Sequence, residues 1–275
     1  MRRPAAVLLT LALAAGTAAC GSAETAEPAA QSSKTNSSAA PTPTTGTMLL
    51  ASMTEAMQQK KTAKATIKAG VAGQEMTGTG AFRFGSDFAA TLTMALPNQG
   101  EIAVVLLPGT FYLKLPKEAG LPEGKSWVRV AKGDSGPIAD SLGPVLDQFG
   151  SGLDPEESLR YLGSATAFKV AGTETLDGVE TTKYVTTVDV ARLVAESEGT
   201  QKQTYQQLLD AGQKTLTATT WVGRDQLPRK YATTIETPQG PVTAEGTYSD
   251  WGAPVDIQEP PAAEVVSAEE MQGGA

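Results

Sequence analysis

The chain has no histidine and a single cysteine in 275 residues, and only 5% of its residues are aromatic. The missing histidine excludes Ser-His-Asp and Cys-His nucleophilic arrangements together with imidazole acid–base chemistry. With Cys20 as the sole thiol no intrachain disulfide can form, and the common zinc sites built from Cys and His are excluded too. Long apolar runs are equally scarce. The stretch from Ala5 to Ala15 is shorter than the roughly 20 residues a spanning helix needs, and no second run approaches that length. Carboxylate chemistry remains, but the clustered acids Asp154, Glu156 and Glu157 stand where a helix start places acids for its free backbone N–H groups. No enzyme, no cofactor and no bound metal are expected.

What is present begins with the lone thiol. Arg2 and Arg3 precede the short apolar run, and the small residues Gly16, Ala18 and Ala19 lead into Cys20. A charged start, an apolar middle and small residues before a cleavage point make residues 1–19 a secretory signal. The stretch "TAAC" followed by Gly21 and Ser22 resembles a bacterial lipobox, with Thr17 where that pattern usually carries Leu. The resemblance implies that Cys20 receives a diacylglyceryl group and becomes the mature N-terminus. Each buried CH₂ contributes about 0.8 kcal/mol and one chain holds only marginally, so two or three chains give a lasting anchor. The expected location is the extracytoplasmic face of the cell membrane. Removing Arg2 and Arg3 takes the net charge from −8 to −10, a poor match for nucleic acid or anionic headgroups.

Composition then changes twice. Residues 20–46, beginning with the lipidated Cys20, are rich in Ala, Ser, Thr and Pro without apolar periodicity, and read as a disordered tether. Residues 47–262 have the length and apolar content of one folded body. Residues 263–275 read as a flexible acidic tail.

Within the body, Leu49, Leu50, Met53 and Met57 recur at helical spacing, predicting a helix over 47–60. From residue 62 the period falls to two, with Ala63, Ala65, Ile67 and Ala69 alternating with Lys64, Thr66 and Lys68. Five similar segments follow, separated by Gly85-Ser86, Pro97-Asn98 and Pro108-Gly109, which predicts an antiparallel meander. Helical signals interrupt over 137–149, broken at Gly143-Pro144, and over 154–163. Strands resume at 165 and 179 around the hairpin pair Asp177-Gly178, a helical stretch covers 189–211, and three strands close the body. The expected fold is α+β: a strongly curved antiparallel sheet, a half-barrel of about ten or eleven strands, with a few short helices against its concave side.

Ten strands about 4.8 Å apart give a sheet nearly 50 Å wide, of which four short helices cover around half. The remaining apolar inner face predicts a ligand cavity. Candidate lining residues are Leu92 and Met94, Val104 and Leu106, Phe111 and Leu113, with Trp127, Tyr184, Trp221 and Tyr231. Ile102, Val104 and Leu106 alternate with Ala103, Val105 and Leu107, and both sets are apolar, so that strand is expected to be buried on both faces.

The segments "GTFYLKLPKEAGLPEGKSWVRVA", "VAGTETLDGVETTKYVTTVD", "TTWVGRDQLPRKY" and "YSDWGAPVDIQEPP" resemble, in order, landmarks of the LppX/LprG-type lipoproteins of actinobacteria, which share a LolA/LolB-like half-barrel. The resemblance spans residues 50–262. It implies a protein that binds acylated lipid or lipoglycan in a hydrophobic pocket and assists its transport across the cell envelope, with an envelope transporter protein as a possible partner. A non-catalytic sensory or accessory lipoprotein that contacts a membrane protein and carries no ligand is the competing expectation.

Cys20→Ser is expected to move the protein from the membrane fraction to the medium. Metabolic labelling with a radioactive fatty acid checks this: label retained by the variant would show that Cys20 is not the acylated residue.

Overall fold

The computed structural model describes residues 42–71, 74–96, 100–116, 120–136, 159–237 and 240–271. All belong to the unit Ala39–Ala275. Its first element is α1 (Gly46–Lys60), which starts where the Thr45 side chain accepts from Met48 N at 3.2 Å and ends at Lys61 in the left-handed region. Leu49, Met53 and Met57, spaced at four residues, form its fully buried stripe. Pro43 is already buried and Thr45 is the cap, so the folded body begins a few residues before the expected boundary at 47.

Among the described residues twelve strands build one unclosed, curved sheet. The first six run β1 (Thr62–Val71), β2 (Gln74–Arg83), β3 (Ala89–Leu96), β4 (Gly100–Leu107), β5 (Thr110–Lys114) and β6 (Trp127–Ala131). The second series is β7 (Ala165–Leu176), β8 (Val179–Asp189), β9 (Thr215–Gly223), β10 (Pro228–Thr237) and β11 (Gly240–Ser249), with β12 (Val265–Ser267) last. In space the order is β12-β6-β5-β4-β3-β2-β1-β11-β10-β9-β8-β7, so two meanders meet where β1 pairs antiparallel with β11. The α+β half-barrel expected from the sequence is what the chain forms.

Turn chemistry sets the register where it can be read. Asp177 and Gly178 both take positive φ, 48° and 79°, the pair a tight two-residue hairpin demands. That turn aligns Leu176 with Val179 and places the β8 residues Tyr184, Thr186 and Val188 on alternate positions of one face.

Three α-helices are present among the described residues. The stretch 189–211, expected as one helix, is two: α2 (Val190–Glu196), capped by the Asp189 carboxylate accepting from Arg192 N at 3.1 Å, and α3 (Gly199–Asp210). Ser197 and Glu198 are extended and Gly199 has φ 55°, which breaks the helical path between them. Of the helix expected over 154–163 only the end is described, as a 3₁₀ turn (Arg160–Ser164). The helix expected over 137–149 and the acids Asp154, Glu156 and Glu157 lie outside the described residues.

The main core forms on the inner face. Leu49, Met53 and Met57 of α1 pack with Ala63, Ala65, Phe82, Ala90, Leu92, Val104 and Phe111 from β1 to β5, and with Tyr184 and Val222 from β8 and β9. Burying side chains of this size contributes roughly 1.5–3 kcal/mol each. The outer face of β3 to β6 is covered as well: Val255 and Ile257 of the segment after β11 pack against Ala89, Val105, Tyr112 and Trp127. β4 is therefore buried on both sides, as its two apolar sets predict.

The C-terminal end departs from the expected flexible tail. After a 3₁₀ turn (Ala262–Glu264), β12 pairs parallel with β6, matching Val266 to Val128. Val266 is 4% exposed and Ala268 fully buried, packed with Val128 and Val130. Ser126 fixes the approach, its N donating to Glu264 O at 2.9 Å and its hydroxyl to Glu264 Oε2 at 2.9 Å. Three paired residues at the edge were too short for a periodic signal, and their acidic neighbours look like a solvated tail.

Val266→Asp is expected to destabilise the body by several kcal/mol, because it buries an unpaired carboxylate between Val128 and Val130. Thermal unfolding followed by far-UV circular dichroism reads the effect, and an unchanged midpoint would restore the flexible-tail reading.

Candidate functional site

Alternation assigns each inner-face residue, and cross-strand register groups them. Ala65 and Ile67 of β1 stand opposite Gly80 and Gly78 of β2 on one side, and opposite Tyr248 and Gly246 of β11 on the other. Tyr231, Thr233 and Ile235 of β10 continue the face, opposite Gly246, Ala244 and Val242. Thr220, Ala218 and Leu216 of β9 then stand opposite Tyr184, Thr186 and Val188 of β8. The central part of this surface is made of Ala, Gly and Thr, whereas the inner face of β3 to β5 carries Leu92, Val104, Leu106 and Phe111.

Small side chains on a curved face leave room. A cavity of about 230 Å³ lies there, its sheet side formed by Ala65, Ile67, Phe82, Val188, Leu216, Ala218, Tyr231, Thr233, Ile235 and Tyr248. Among the described residues the other side is formed by Leu159 and Tyr161 at the 3₁₀ turn, Leu193 of α2 and Tyr205 of α3. That volume is about one and a half times an apolar cavity of about 150 Å³ that takes a benzene ring, and it is below the roughly 300–1,000 Å³ of drug-sized pockets. It suits a segment of a single acyl chain.

Two close approaches shape the space. A Cβ on Gly246 would stand 2.0 Å from Tyr231 Cε1, so only glycine lets the Tyr231 ring lie flat over β11. The Tyr231 and Tyr248 ring centroids are 6.1 Å apart, Tyr248 is 6.4 Å from Phe82, and Tyr248 is 5.7 Å from Trp251. Trp251 is pinned in turn by its indole N–H donating to Pro228 O at 3.2 Å. The cavity thus ends against a linked aromatic cluster that resists collapse.

Its polarity comes from hydroxyls. Among the described residues no Lys, Arg, Asp or Glu lines the cavity. Burial pushes the Tyr161 phenol up to about 12, the Thr220 hydroxyl that faces it opposing the rise. Burial raises the Tyr231 phenol too. Both phenols are therefore neutral at any physiological pH. Among the described residues no group of three or more Cys, Asp and Glu is placed to hold a metal ion.

Of the ten residues expected to line a pocket, Tyr231 is among those around this cavity. Leu92, Val104 and Phe111 are on the inner face as expected, but they are buried in the main core cluster, with Met94, Leu106 and Leu113 packed against it. Tyr184 is also on the inner face, its ring stacked 5.5 Å from Phe168. Trp127 and Trp221 are on the opposite face. Trp127 pairs in register with Lys114, whose ammonium lies 5.9 Å from its ring, and packs with Tyr112 and Ile257. Trp221 is held between Lys183 at 5.1 Å and Lys230 at 5.3 Å, cross-strand neighbours on the outer surface. The cavity residues missed from the sequence include Tyr161, Tyr205 and Tyr248. Of these, Tyr248 carried a signal, two residues beyond Gly246 on a strand of period two.

No family model matches the chain. It is 32% identical over 158 residues to an uncharacterized 31.2 kDa protein of the rplA–rplJ intergenic region of Streptomyces griseus, a match covering 55% of this chain and 52% of that protein. It is 31% identical over 128 residues to the lipoarabinomannan carrier protein LprG of Mycobacteroides abscessus, covering 46% of this chain and 52% of that one. The chain thus spans about half the length of the curated relatives it matches. Among solved structures it is similar to the lipoprotein LppX of Mycobacterium tuberculosis, with 15% identity and a TM-score of 0.48 over 76% of this chain and 98% of that one. The similarity to LprG agrees with the LppX/LprG-type resemblance read from the sequence.

Filled core and open cavity respond oppositely to added volume. Val104→Trp, in the packed region, is expected to cost about 1–3 kcal/mol or more. Ala218→Phe, which adds a ring to empty space, is expected to leave the thermal midpoint unchanged or raise it. Equal losses at both positions would show that the space beside Ala218 is not a void.

Proposed function

We propose that this protein is a lipid-anchored lipoprotein of the extracytoplasmic membrane face that takes an acyl chain of a lipid or lipoglycan into the cavity between β8–β11 and the α2–α3 pair, and carries it between envelope sites. The observation that carries the reading is the cavity itself. Among the described residues its lining is uncharged and mainly apolar. An apolar chain entering such a space leaves water, and each CH₂ so transferred contributes about 0.8 kcal/mol.

The relative named a lipoarabinomannan carrier supports the cargo class: lipoarabinomannan joins a glycan to an acylated anchor, and only the acyl part fits an uncharged cavity. At about 230 Å³ the cavity accommodates a portion of one chain, so the headgroup and any other chains stay outside. That division of labour suits a carrier, which must release what it binds. The lipobox-like Cys20 and the tether to residue 46 would hold the body at the membrane with freedom to reach several nanometres, at up to about 3 Å per extended residue.

Uptake of a fluorescent acyl lipid by the full chain tests this. Saturable binding is expected, with at least a tenfold loss in Ala218→Trp, where the indole occupies the cavity, and no loss in Trp221→Phe on the outer face. Absence of uptake by the unmodified protein, together with an organic extract free of lipid, would contradict the carrier reading.

A further inference from the structure

The cavity is not uniformly apolar, since Tyr161, Tyr205, Tyr231, Thr233 and Tyr248 bring hydroxyls to its lining. Tyr161 and Tyr231 both line it. Behind them on the inner face stands Thr220, directly across from Tyr231 in register, and Thr186 lies on the neighbouring strand across from Ala218. Thr186 and Thr220 are each 1% exposed, and neither hydroxyl oxygen makes a hydrogen bond of normal geometry. Buried hydroxyls without partners cost free energy, roughly 1–3 kcal/mol each, and every such group requires a physical reason. Valine would fill the same space at either position without that cost.

We infer that Tyr161 and Tyr231 form a recognition pair for a neutral carbonyl oxygen, that of the ester joining an acyl chain to its alcohol, with Thr220 as a positioning residue behind Tyr161. The inference rests on the acyl-chain reading above and specifies which part of the lipid the cavity holds. Thr220 faces the Tyr161 phenol from the sheet side. From there the Thr220 hydroxyl, without a bond of normal geometry in this structure, is placed to donate to the phenol oxygen once the Tyr161 O–H turns to an entering carbonyl. The Tyr231 ring is fixed over Gly246.

The chemistry discriminates. Phenols that stay protonated are donors to a carbonyl oxygen and provide no countercharge. A carboxylate or phosphate brought among them would lose its hydration without gaining a cation, since among the described residues no Lys or Arg lines the cavity. A pure hydrocarbon would leave the phenols unpaired. The ligand end that satisfies both conditions is uncharged and carries an acceptor oxygen.

Competition against a fluorescent acyl probe bound to the full chain tests the pair. Methyl octanoate, octanoate at pH 8 and octane are compared, each affinity expressed relative to that compound's own partition from water into hydrocarbon. The ester is expected to exceed octane by at least tenfold on this scale and to exceed octanoate in absolute affinity by at least tenfold. Tyr161→Phe and Tyr231→Phe together should bring the ester-to-octane ratio to about one. Thr220→Val should lower that ratio while raising the thermal midpoint, a combination that a purely structural threonine would not give. Equal partition-corrected binding of ester and octane, or a ratio that survives in the double variant, would overturn the inference and leave acyl binding intact. Failure of the probe itself to bind would overturn the acyl-chain reading and the inference with it.

Discussion

The structure depends on one mismatch: among the described residues a twelve-stranded sheet offers more inner apolar face than three helices can cover. Strands about 4.8 Å apart make the sheet nearly 60 Å across, and helices are only about 10 Å wide. Leu49, Met53 and Met57 of α1 join Leu92, Val104 and Phe111 of β3 to β5, with Tyr184, Val222 and Leu227, in one buried cluster. Leu193 of α2 and Tyr205 of α3 instead border the cavity, whose sheet side includes Ala65, Ala218 and Thr233. Large side chains give a filled core. Small ones leave a cavity.

The same mismatch governs the outer surface. Where both faces of the sheet are apolar, at β4, the chain returns after β11 and lays Val255 and Ile257 over the outside. Tyr112 is tied into this cover, its phenol raised by burial and by donating to the Glu259 carboxylate. Where the outer face is polar no cover is needed, and Trp221 is shielded by its lysine neighbours. Lys230 also pairs with Glu245 at 2.8 Å, which holds the ammonium close to the ring. Open edges are the remaining liability of an unclosed sheet. β12 covers β6 at one end, while β7 leaves the other end with mostly exposed side chains.

Much of this was legible in the sequence because period-two alternation and turn residues are local. The inner set of β3, the hairpin at Asp177-Gly178 and the double burial of β4 follow from neighbours a few residues away. The position of the cavity does not follow, because alternation tells which face a residue occupies and not what stands opposite. Leu92 and Ala218 look equally inward in the sequence, yet one belongs to the filled core and the other lines the cavity. The tryptophans illustrate a finer failure. In "WVRVA" the polar Arg129 shares a face with Trp127, which marks that face as the outer one, and ring size outweighed this cue. Tyr161 and Tyr205 reach the cavity from a 3₁₀ turn and a helix, where no strand periodicity points at them.

The central claim is that the volume left over by sheet and helices holds an acyl chain, and at one place. Intermolecular nuclear Overhauser effects between a bound, perdeuterated-headgroup acyl lipid and selectively labelled methyl groups of the full chain read that place directly. The account predicts contacts from chain methylenes to Ile67, Leu216, Ala218 and Ile235, which line the cavity, and none to Leu92 or Val104. Contacts to Leu92 and Val104, with none to Ala218 and Ile235, would contradict it.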